Sequence, residues 1–230
     1  IDPCKAWPQL PPAGAIRGFE GTNITSNTNS AASFSDPDTS YTCTMDKDGN
    51  VCSITPSDVS FESPVIPGLG FCPSARGSQS FAIRGHASEI APGKRPRLTP
   101  NPAMALRRNK FIMPLGAPGG DAQPQGMLQV LLNHLVFGMD IQSSIEAPRF
   151  STHSQPNSFE PHEAKPGRLA IEEGIEQDIG KHLSDLGHDI EWLKTRSDAV
   201  AGVCAISANL ETNVITGGAD PRRSGRAMGW

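Results

Sequence analysis

The feature that most constrains this chain is a four-residue turn between two short runs of strand-forming residues. Lys47-Asp48-Gly49-Asn50 separates residues 39–46 from residues 51–55, and both runs carry β-branched residues and cysteines. An Asp-Gly pair takes the positive backbone angles of a tight hairpin turn, and β-branched side chains favour strands. The sequence therefore predicts two antiparallel strands joined at this turn.

The predicted hairpin also places one threonine beside one serine. Counting outward from the turn brings Thr39, at the outer end of the first strand, opposite Ser57 or Asp58 beyond the second. Pairing from a turn fixes the register to within about one residue. We therefore expect the side chains of Thr39 and Ser57 to touch.

The middle of the chain predicts a loop, a buried strand and a turn rich in glycine. Residues 64–102 are dense in Pro, Gly and Ser, which disfavours helices and indicates extended, solvent-facing loops. Residues 111–115 are apolar and predict a short buried strand that ends at Gly116-Ala117-Pro118-Gly119-Gly120. Backbone N–H groups at such a turn are not screened by a Cβ, so Gly119 and Gly120 suit an oxygen that gains negative charge.

Three helices are predicted in the second half. The first is capped by Asp121 and ends at Gly138, the second covers residues 141–147, and the third runs from about Ile171 to Gly187. The inward face of the first is expected to hold Leu128, Leu131, Leu132, Leu135 and Val136. The third is expected to present Ile171, Ile175, Ile179, Leu183 and Leu186 on one face.

Strands return after the helices. Residues 188–194, 200–208 and 214–216 alternate or run apolar, and the last two are predicted to form a hairpin. The order of strands, helices and strands indicates an α+β fold, an antiparallel sheet covered by helices. Neither a G-x-G-x-x-G nor a G-x-x-x-x-G-K motif is present, which argues against a nucleotide-binding sheet.

The first 38 residues differ in character from the rest. They contain several Pro and Gly residues and a polar tract at residues 22–35, which cannot bury enough apolar surface to order itself. We interpret residues 1–38 as a linker or tail and residues 39–230 as the folded unit.

Charge and residue spacing exclude several function classes. The net charge of -4 is spread without long runs, so nucleic-acid binding and a polybasic membrane patch are not expected. The longest apolar stretch, residues 127–136, is too short to span a bilayer. Five dispersed cysteines and six histidines show no ligand spacing, so no metal or cofactor is expected. A disulfide between Cys43 and Cys52, which flank the turn, stays open.

The compartment is only weakly indicated. The residues Ile1-Asp2-Pro3 show no secretory signal, although such a signal could lie upstream. We therefore leave the compartment open and favour the cytoplasm over a periplasmic or secreted location.

Several stretches, taken in order, carry a family resemblance. They are Asp38-Thr39-Ser40-Tyr41 with Met45-Asp46-Lys47-Asp48-Gly49-Asn50; Pro92-Gly93-Lys94-Arg95-Pro96 with Pro100-Asn101-Pro102; and Gly116-Ala117-Pro118-Gly119-Gly120 with Leu128-Gln129-Val130, Gly138-Met139, Ala147-Pro148-Arg149-Phe150 and Ala219-Asp220-Pro221-Arg222. Each is common alone, but together they resemble the small subunit of the γ-glutamyltransferase family of N-terminal-nucleophile hydrolases.

The resemblance implies a four-layer αββα sandwich completed by a large subunit that is not in this chain. The large subunit would come from the same precursor, cut between Asp38 and Thr39, and the two would form a heterodimer or a dimer of heterodimers. Residues 39–230 would then be the catalytic half. A homologue that is never cut and acts as a binding protein is an open alternative.

The resemblance also implies the chemistry of the site. Thr39 would be the nucleophile, and the α-amine freed by cleavage, with a pKa of about 8, would be the base. Ser57 matches the second threonine of the family, which hydrogen-bonds the nucleophile. Gly119 and Gly120 match the backbone donors that bind the oxyanion.

Two departures from the family pattern concern the substrate pocket. Gln79 or a neighbour occupies the place of the acidic residue that holds the glutamyl amine. Thr99, after Leu98, stands where the family has paired serines for the glutamyl carboxylate. Since unpaired charge in a desolvated site is costly, we favour an amidohydrolase or acylase for a small acylated amine over a true γ-glutamyltransferase, and Arg76 could receive an acidic acyl group.

Overall fold

The structure is a computed structural model, and it describes residues 39–58 and 64–230. The predicted linker at residues 1–38, including Asp38, lies outside the described residues. In chain order the strands are β1 Thr42–Met45, β2 Val51–Ile54, β3 Ala103–Arg107, β4 Phe111–Gly116, β5 Phe150–Thr152, β6 Arg168–Glu172, β7 Asp189–Leu193, β8 Cys204–Asn209 and β9 Val214–Ala219. The helices are α1 Gln123–Leu135, α2 Ile141–Glu146 and α3 Gln177–Asp185. The predicted α+β class is confirmed.

The predicted hairpin is present as β1 and β2. The strands pair antiparallel, with Thr42 opposite Ile54 and Met45 opposite Val51. The carboxylate of Asp46 accepts hydrogen bonds from the backbone N–H groups of Asp48 and Asn50, each at 2.9 Å, which closes the turn. The same register pairs Cys43 with Ser53 rather than with Cys52, and both cysteines are free thiols.

The main sheet has four antiparallel strands in the order β3-β4-β8-β9. Helices α1 and α2 pack against it and enclose the core with the buried side chains of β4 and β8. The core residues are Met113, Leu115, Ala117, Ala122, Met127, Val130, Ile141, Ile145, Ala201, Val203 and Ala205. The predicted hairpin of the last two strands is confirmed, although β8 begins only at Cys204 because residues 198–200 form a 3-10 turn.

The first hairpin is attached to this sheet through Tyr41. A Cβ on Gly116, the last residue of β4, would lie 2.2 Å from the Tyr41 ring, so the ring occupies the space that a side chain there would need. The Tyr41 hydroxyl lies 2.8 Å from Ser53 Oγ, and that serine donates to the carbonyl of Ala103 at 3.2 Å. These contacts hold the hairpin at the end of β4.

The helix predicted from Ile171 is wrong over its first part. Residues 168–172 form β6, which pairs with β5 antiparallel and with β7 parallel, and Ile171 is buried in that sheet. Helix α3 covers only Gln177–Asp185. A strand that is buried on both faces is continuously apolar. When isoleucines follow it at intervals of four residues, the pattern resembles the apolar face of a helix.

The predicted inward face of α1 is also largely wrong. Leu128 is 55% exposed and Val136 is 66% exposed, whereas Gln123, Gly126, Met127 and Val130 face the core. Leu132 and Leu135 are exposed as well, and only Leu131 packs partly against the core. Both faces of the helix are apolar, so periodicity alone does not choose between them. The outer face, Leu128, Leu132, Leu135 and Val136, is named the outer stripe below.

Asp121 does not cap α1. It lies in a 3-10 turn before the helix, and the N-cap residue of the helix is Ala122. The Asp121 carboxylate instead accepts hydrogen bonds from the backbone N–H and the hydroxyl of Ser158. Among residues 39–58 and 64–230, no helix combines the length and apolarity that crossing a bilayer requires.

A buried ion network joins two loops that are distant in sequence. The guanidinium of Arg149 donates to Asp220, and both side chains are fully buried. Arg222 pairs with the same aspartate and with Glu172, and it donates to the carbonyls of Ile145 and Ala147 at 2.9 Å each. The network therefore fixes the end of β9 to the connection between α2 and β5.

We predict that Asp220→Asn destabilises the protein by about 3 kcal/mol or more, because the buried Arg149 loses its anionic partner. Urea unfolding of the processed protein measures this change. The matched control is Asp185→Asn, which breaks an exposed pair with Lys181 and should cost less than about 0.5 kcal/mol. Equal costs for the two variants would contradict the structural role of the network.

Candidate functional site

Thr39 and Ser57 are in contact, as the hairpin pairing predicts. Continuing the β1–β2 register beyond Thr42 and Ile54 places Thr39 opposite Ser57, and Ser40 N–H donates to the carbonyl of Pro56 at 3.0 Å. The Oγ1 of Thr39 lies 2.6 Å from the Oγ of Ser57. Thr39 is only 7% exposed. The hairpin thus presents two hydroxyls, hydrogen-bonded to each other, at its open end.

Arg76 reaches the same serine from a separate segment. It lies in the 3-10 turn Ala75–Gln79, and its backbone N–H donates to the side chain of Ser74. The buried guanidinium donates through Nε to the carbonyl of Ser57 at 2.8 Å and through Nη2 to Ser57 Oγ. Burial lowers the pKa of Arg76 from its usual value and Asp58 opposes this shift, yet an arginine keeps its charge in proteins.

The three residues predicted for the substrate pocket lie together. Thr99 Oγ1 accepts from Gln79 Nε2 at 3.1 Å and from Arg76 Nη1 at 3.4 Å. Gln79 is completely buried, and its Oε1 has no hydrogen-bond partner among the described residues. Arg76, Gln79 and Thr99 therefore form one polar cluster beside Ser57.

The diglycine turn adopts a backbone that requires glycine. Gly119 has a φ of 131° and Gly120 a φ of 53°. A Cβ on Gly119 would lie 2.8 Å from both Cα and Cβ of Ala201, whereas a Cβ on Gly120 would meet only the Phe159 ring, at 3.8 Å. Positive φ and this close approach leave no room for a side chain at Gly119.

Ala201 supports this turn in a strained conformation. Its φ of 67° and ψ of 165° belong to a region that is essentially restricted to glycine. Ala201 is fully buried against Gly119, and the next residue, Gly202, donates to the carbonyl of Pro118 at 3.2 Å. No sequence pattern points to this residue, because residues 200–208 are predicted to be a regular strand.

Aromatic residues connect the two parts of the site. The Phe159 ring faces Gly120 on one side, and the guanidinium carbon of Arg76 lies 5.4 Å from the centroid of the same ring. Tyr41, two residues after Thr39, packs on Gly116 just before the diglycine turn, and burial raises the pKa of its hydroxyl. The hydroxyl pair and the turn are therefore linked through these two aromatic side chains. Neither aromatic residue was predicted to contribute.

Two cavities border the site. One, of about 730 Å³, is lined by Ser57, Arg76, Asp58 and Glu89, with Lys94, Arg95 and Arg97 from the loop before β3. The other, of about 260 Å³, borders Gly119, Gly120 and Phe159. Within the described ranges, no group of three or more His, Cys, Asp or Glu side chains is arranged to hold a metal ion.

Comparisons with known proteins identify the relatives of this chain. The family model described as Gamma-glutamyltranspeptidase matches residues 14–230. The chain is 28% identical over 193 residues to a glutathione hydrolase proenzyme of Bacillus subtilis, with 83% of this chain and 30% of the relative covered. It is 31% identical over 169 residues to an oxamate amidohydrolase proenzyme of Klebsiella pneumoniae, with 72% of this chain and 30% of that relative covered.

A solved structure shares the fold. It is the W525D mutant of gamma-glutamyltranspeptidase from Pseudomonas nitroreducens, with a TM-score of 0.65 and 23% identity, and the match covers 83% of this chain and 98% of that chain. The chain spans about 30% of the length of the two proenzymes. From the family match over nearly its full length, we conclude that this chain belongs to the gamma-glutamyltranspeptidase family.

Proposed function

We propose that this chain is the catalytic part of a self-processing amidohydrolase whose nucleophile is Thr39. The observation that carries the proposal is the 2.6 Å contact between the hydroxyls of Thr39 and Ser57. In the processing step, Thr39 Oγ1 attacks the carbonyl carbon of Asp38. The C–N bond breaks, the nitrogen of Thr39 takes up the hydroxyl proton, and water hydrolyses the ester that remains.

The amine freed in this way serves the second reaction. A hydroxyl is a weak nucleophile at neutral pH, and an α-amine on the same residue is a base within reach of it. The amine accepts the proton of Thr39 Oγ1 as this oxygen attacks the substrate amide, and then passes the proton to the departing amine. Water hydrolyses the acyl ester and regenerates Thr39. Ser57 hydrogen-bonds the attacking oxygen throughout.

Gly119 and Gly120 are proposed to bind the oxyanion through their backbone N–H groups. Negative charge develops on the carbonyl oxygen of the tetrahedral intermediate, and one well-placed donor typically lowers the barrier by about 3 kcal/mol. The fixed backbone of this turn, pressed against Ala201, supports the role because preorganised donors need no rearrangement during the reaction.

The larger cavity favours an acyl group that carries negative charge and no amine. Lys94, Arg95 and Arg97 line it, against the carboxylates of Asp58 and Glu89. Gln79, at or near the place of the family's acidic residue, is neutral and donates to Thr99. The oxamate amidohydrolase relative is named for a substrate with a carboxylate beside its amide, which is the same charge class.

A larger subunit from the same precursor is the proposed partner. The outer stripe of α1 is an apolar surface that the described residues do not cover, and contiguous apolar surface commonly marks an interface. The relatives are proenzymes more than three times as long as the matched region. The remainder of the precursor would cover the stripe and complete a four-layer αββα sandwich, as a heterodimer or a dimer of heterodimers.

Thr39→Ala should leave the full precursor uncut and without amidase activity, because both reactions use the same hydroxyl. Thr39→Ser should retain both reactions, since it keeps the hydroxyl and the α-nitrogen. Intact-mass measurement and N-terminal sequencing follow the cut between Asp38 and Thr39. A wild-type precursor that never splits would overturn the proposal and favour an uncut binding protein.

Gly119→Ala should impair processing far more than Gly120→Ala does. A Cβ at Gly119 would force Ala201 away and displace the turn, whereas at Gly120 it adds only the strain of a left-handed residue, about 1–2 kcal/mol. The fraction of cut precursor after equal times, with circular dichroism to check folding, measures the difference. Equal effects would argue against the packing of Gly119 on Ala201.

Glutaryl-p-nitroanilide should be hydrolysed faster than γ-glutamyl-p-nitroanilide by the mature enzyme. The two compounds differ only in the α-amine, and the residue at or near the position of the family's acidic residue is the neutral Gln79. Release of p-nitroaniline at matched concentrations gives the ratio of kcat/KM. A preference for the γ-glutamyl compound would instead favour a glutathione-processing enzyme.

A further inference from the structure

Arg76 binds the serine that contacts the proposed nucleophile at two points. Its Nε donates to the backbone carbonyl of Ser57 at 2.8 Å, and its Nη2 donates to Ser57 Oγ. That Oγ lies 2.6 Å from Oγ1 of Thr39. One buried guanidinium therefore fixes both the main chain and the side-chain rotamer of Ser57.

The charge of Arg76 also decides the direction of the hydrogen bond between the two hydroxyls. A guanidinium has donors only, so Ser57 Oγ must be the acceptor in its bond with Arg76. An oxygen that accepts from a cation becomes a stronger donor and a poorer acceptor for a second group. The proton of Ser57 then points away from Arg76, and Thr39 Oγ1 lies within hydrogen-bond distance to accept it.

We propose that Arg76 is a positioning residue that makes Ser57 the hydrogen-bond donor to Thr39. This inference rests on the proposed role of Thr39 as nucleophile. With Ser57 as donor, the proton of Thr39 is not given to Ser57 and stays available to the base. The same donor stabilises Thr39 Oγ1 when negative charge grows on it, both in the attack and when the ester later breaks.

The contacts of Arg76 favour this role over that of a substrate clamp. Each of its three nitrogens has an acceptor on the protein: the carbonyl of Ser57, its Oγ, and Oγ1 of Thr99. The Phe159 ring lies beside the guanidinium, and the side chain is only 7% exposed. A substrate carboxylate would have to compete with these contacts.

Self-processing offers a test that needs no knowledge of the substrate. The rate of the cut between Asp38 and Thr39 is compared in the full precursor carrying Arg76→Gln, Arg76→Lys, Ser57→Ala or the double change Arg76→Gln with Ser57→Ala. Arg76→Gln should slow the cut about tenfold or more, since a charged hydrogen bond is lost. Arg76→Lys keeps the positive charge but not the paired donors, so its precursor should be cut faster than the Arg76→Gln precursor and more slowly than the wild type.

The double variant separates an effect of Arg76 that acts through Ser57 from an effect of Arg76 on other parts of the site. Because Arg76 acts through Ser57, the double variant should be no slower than Ser57→Ala alone. Arg108→Gln removes the same charge from the exposed turn after β3 and should process at the wild-type rate. Thermal unfolding of each precursor checks that the variants fold.

A kinetic measurement on the mature enzyme covers the case in which Arg76→Gln folds poorly as a precursor. With glutaryl-p-nitroanilide as the probe, Arg76→Lys should lower kcat with KM unchanged within about twofold, because positioning acts on the reacting oxygen. A raised KM with unchanged kcat would overturn the proposal and make Arg76 a substrate clamp.

The outcomes also separate this inference from the proposed function. Effects of Arg76→Gln and Ser57→Ala that multiply in the double variant, or an Arg76→Gln precursor that cuts at the wild-type rate, would overturn the positioning role alone. A Thr39→Ala precursor that still splits at this bond would remove the nucleophile assignment itself.

Discussion

Gly116 has no side chain, and the ring of Tyr41 fills the space where a Cβ would lie. This contact joins the first hairpin to the end of β4. Thr39 lies two residues before Tyr41, and the diglycine turn begins three residues after Gly116, so one close approach brings the two parts of the site together. The position of the site relative to the main sheet depends on the absence of a side chain at Gly116.

The other side of the site is held by charge and by backbone strain. The buried pairs of Arg149 with Asp220 and of Arg222 with Glu172 fix the connection before β5 and the segment after β9. The backbone N–H of Val203 donates to Asp220 at 2.8 Å, which connects this network to the segment that contains Ala201. Strained residues persist only where the surrounding structure over-determines them. The network therefore provides the rigid support that lets Ala201 press on Gly119.

Function in such a site comes from the placement of a few hydrogen-bond donors rather than from unusual side chains. Thr39 and Ser57 are ordinary residues at strand ends. They are distinguished by the short distance between their hydroxyls, by the buried guanidinium of Arg76 and by the absence of a side chain at Gly119. The basic lining of the larger cavity supports the proposed preference for a negatively charged acyl group.

Hydrophobic periodicity predicts the wrong structure at two places where the sequence fits more than one arrangement. Isoleucines at helical spacing predict a helix that begins at about Ile171, yet Ile171 lies in β6, where it is buried. Helix α1 carries apolar residues on both its core-facing side and its outer side, so local spacing predicts the outer stripe to face the core. In both cases the deciding contact comes from residues distant in the chain, which local spacing does not contain.

The sequence by itself determined what depends on short-range turn chemistry: the hairpin, its register, the contact of Thr39 with Ser57, and a glycine turn after β4. Asp46 and Gly49 lie within a few residues of the backbone they control, so their effect can be read locally. Only the tertiary structure decided that Arg76 binds Ser57, that Ala201 lies under Gly119, and that Arg149 meets Asp220. Those contacts join segments separated by long stretches of chain, and they form because packing and the burial of charge select them.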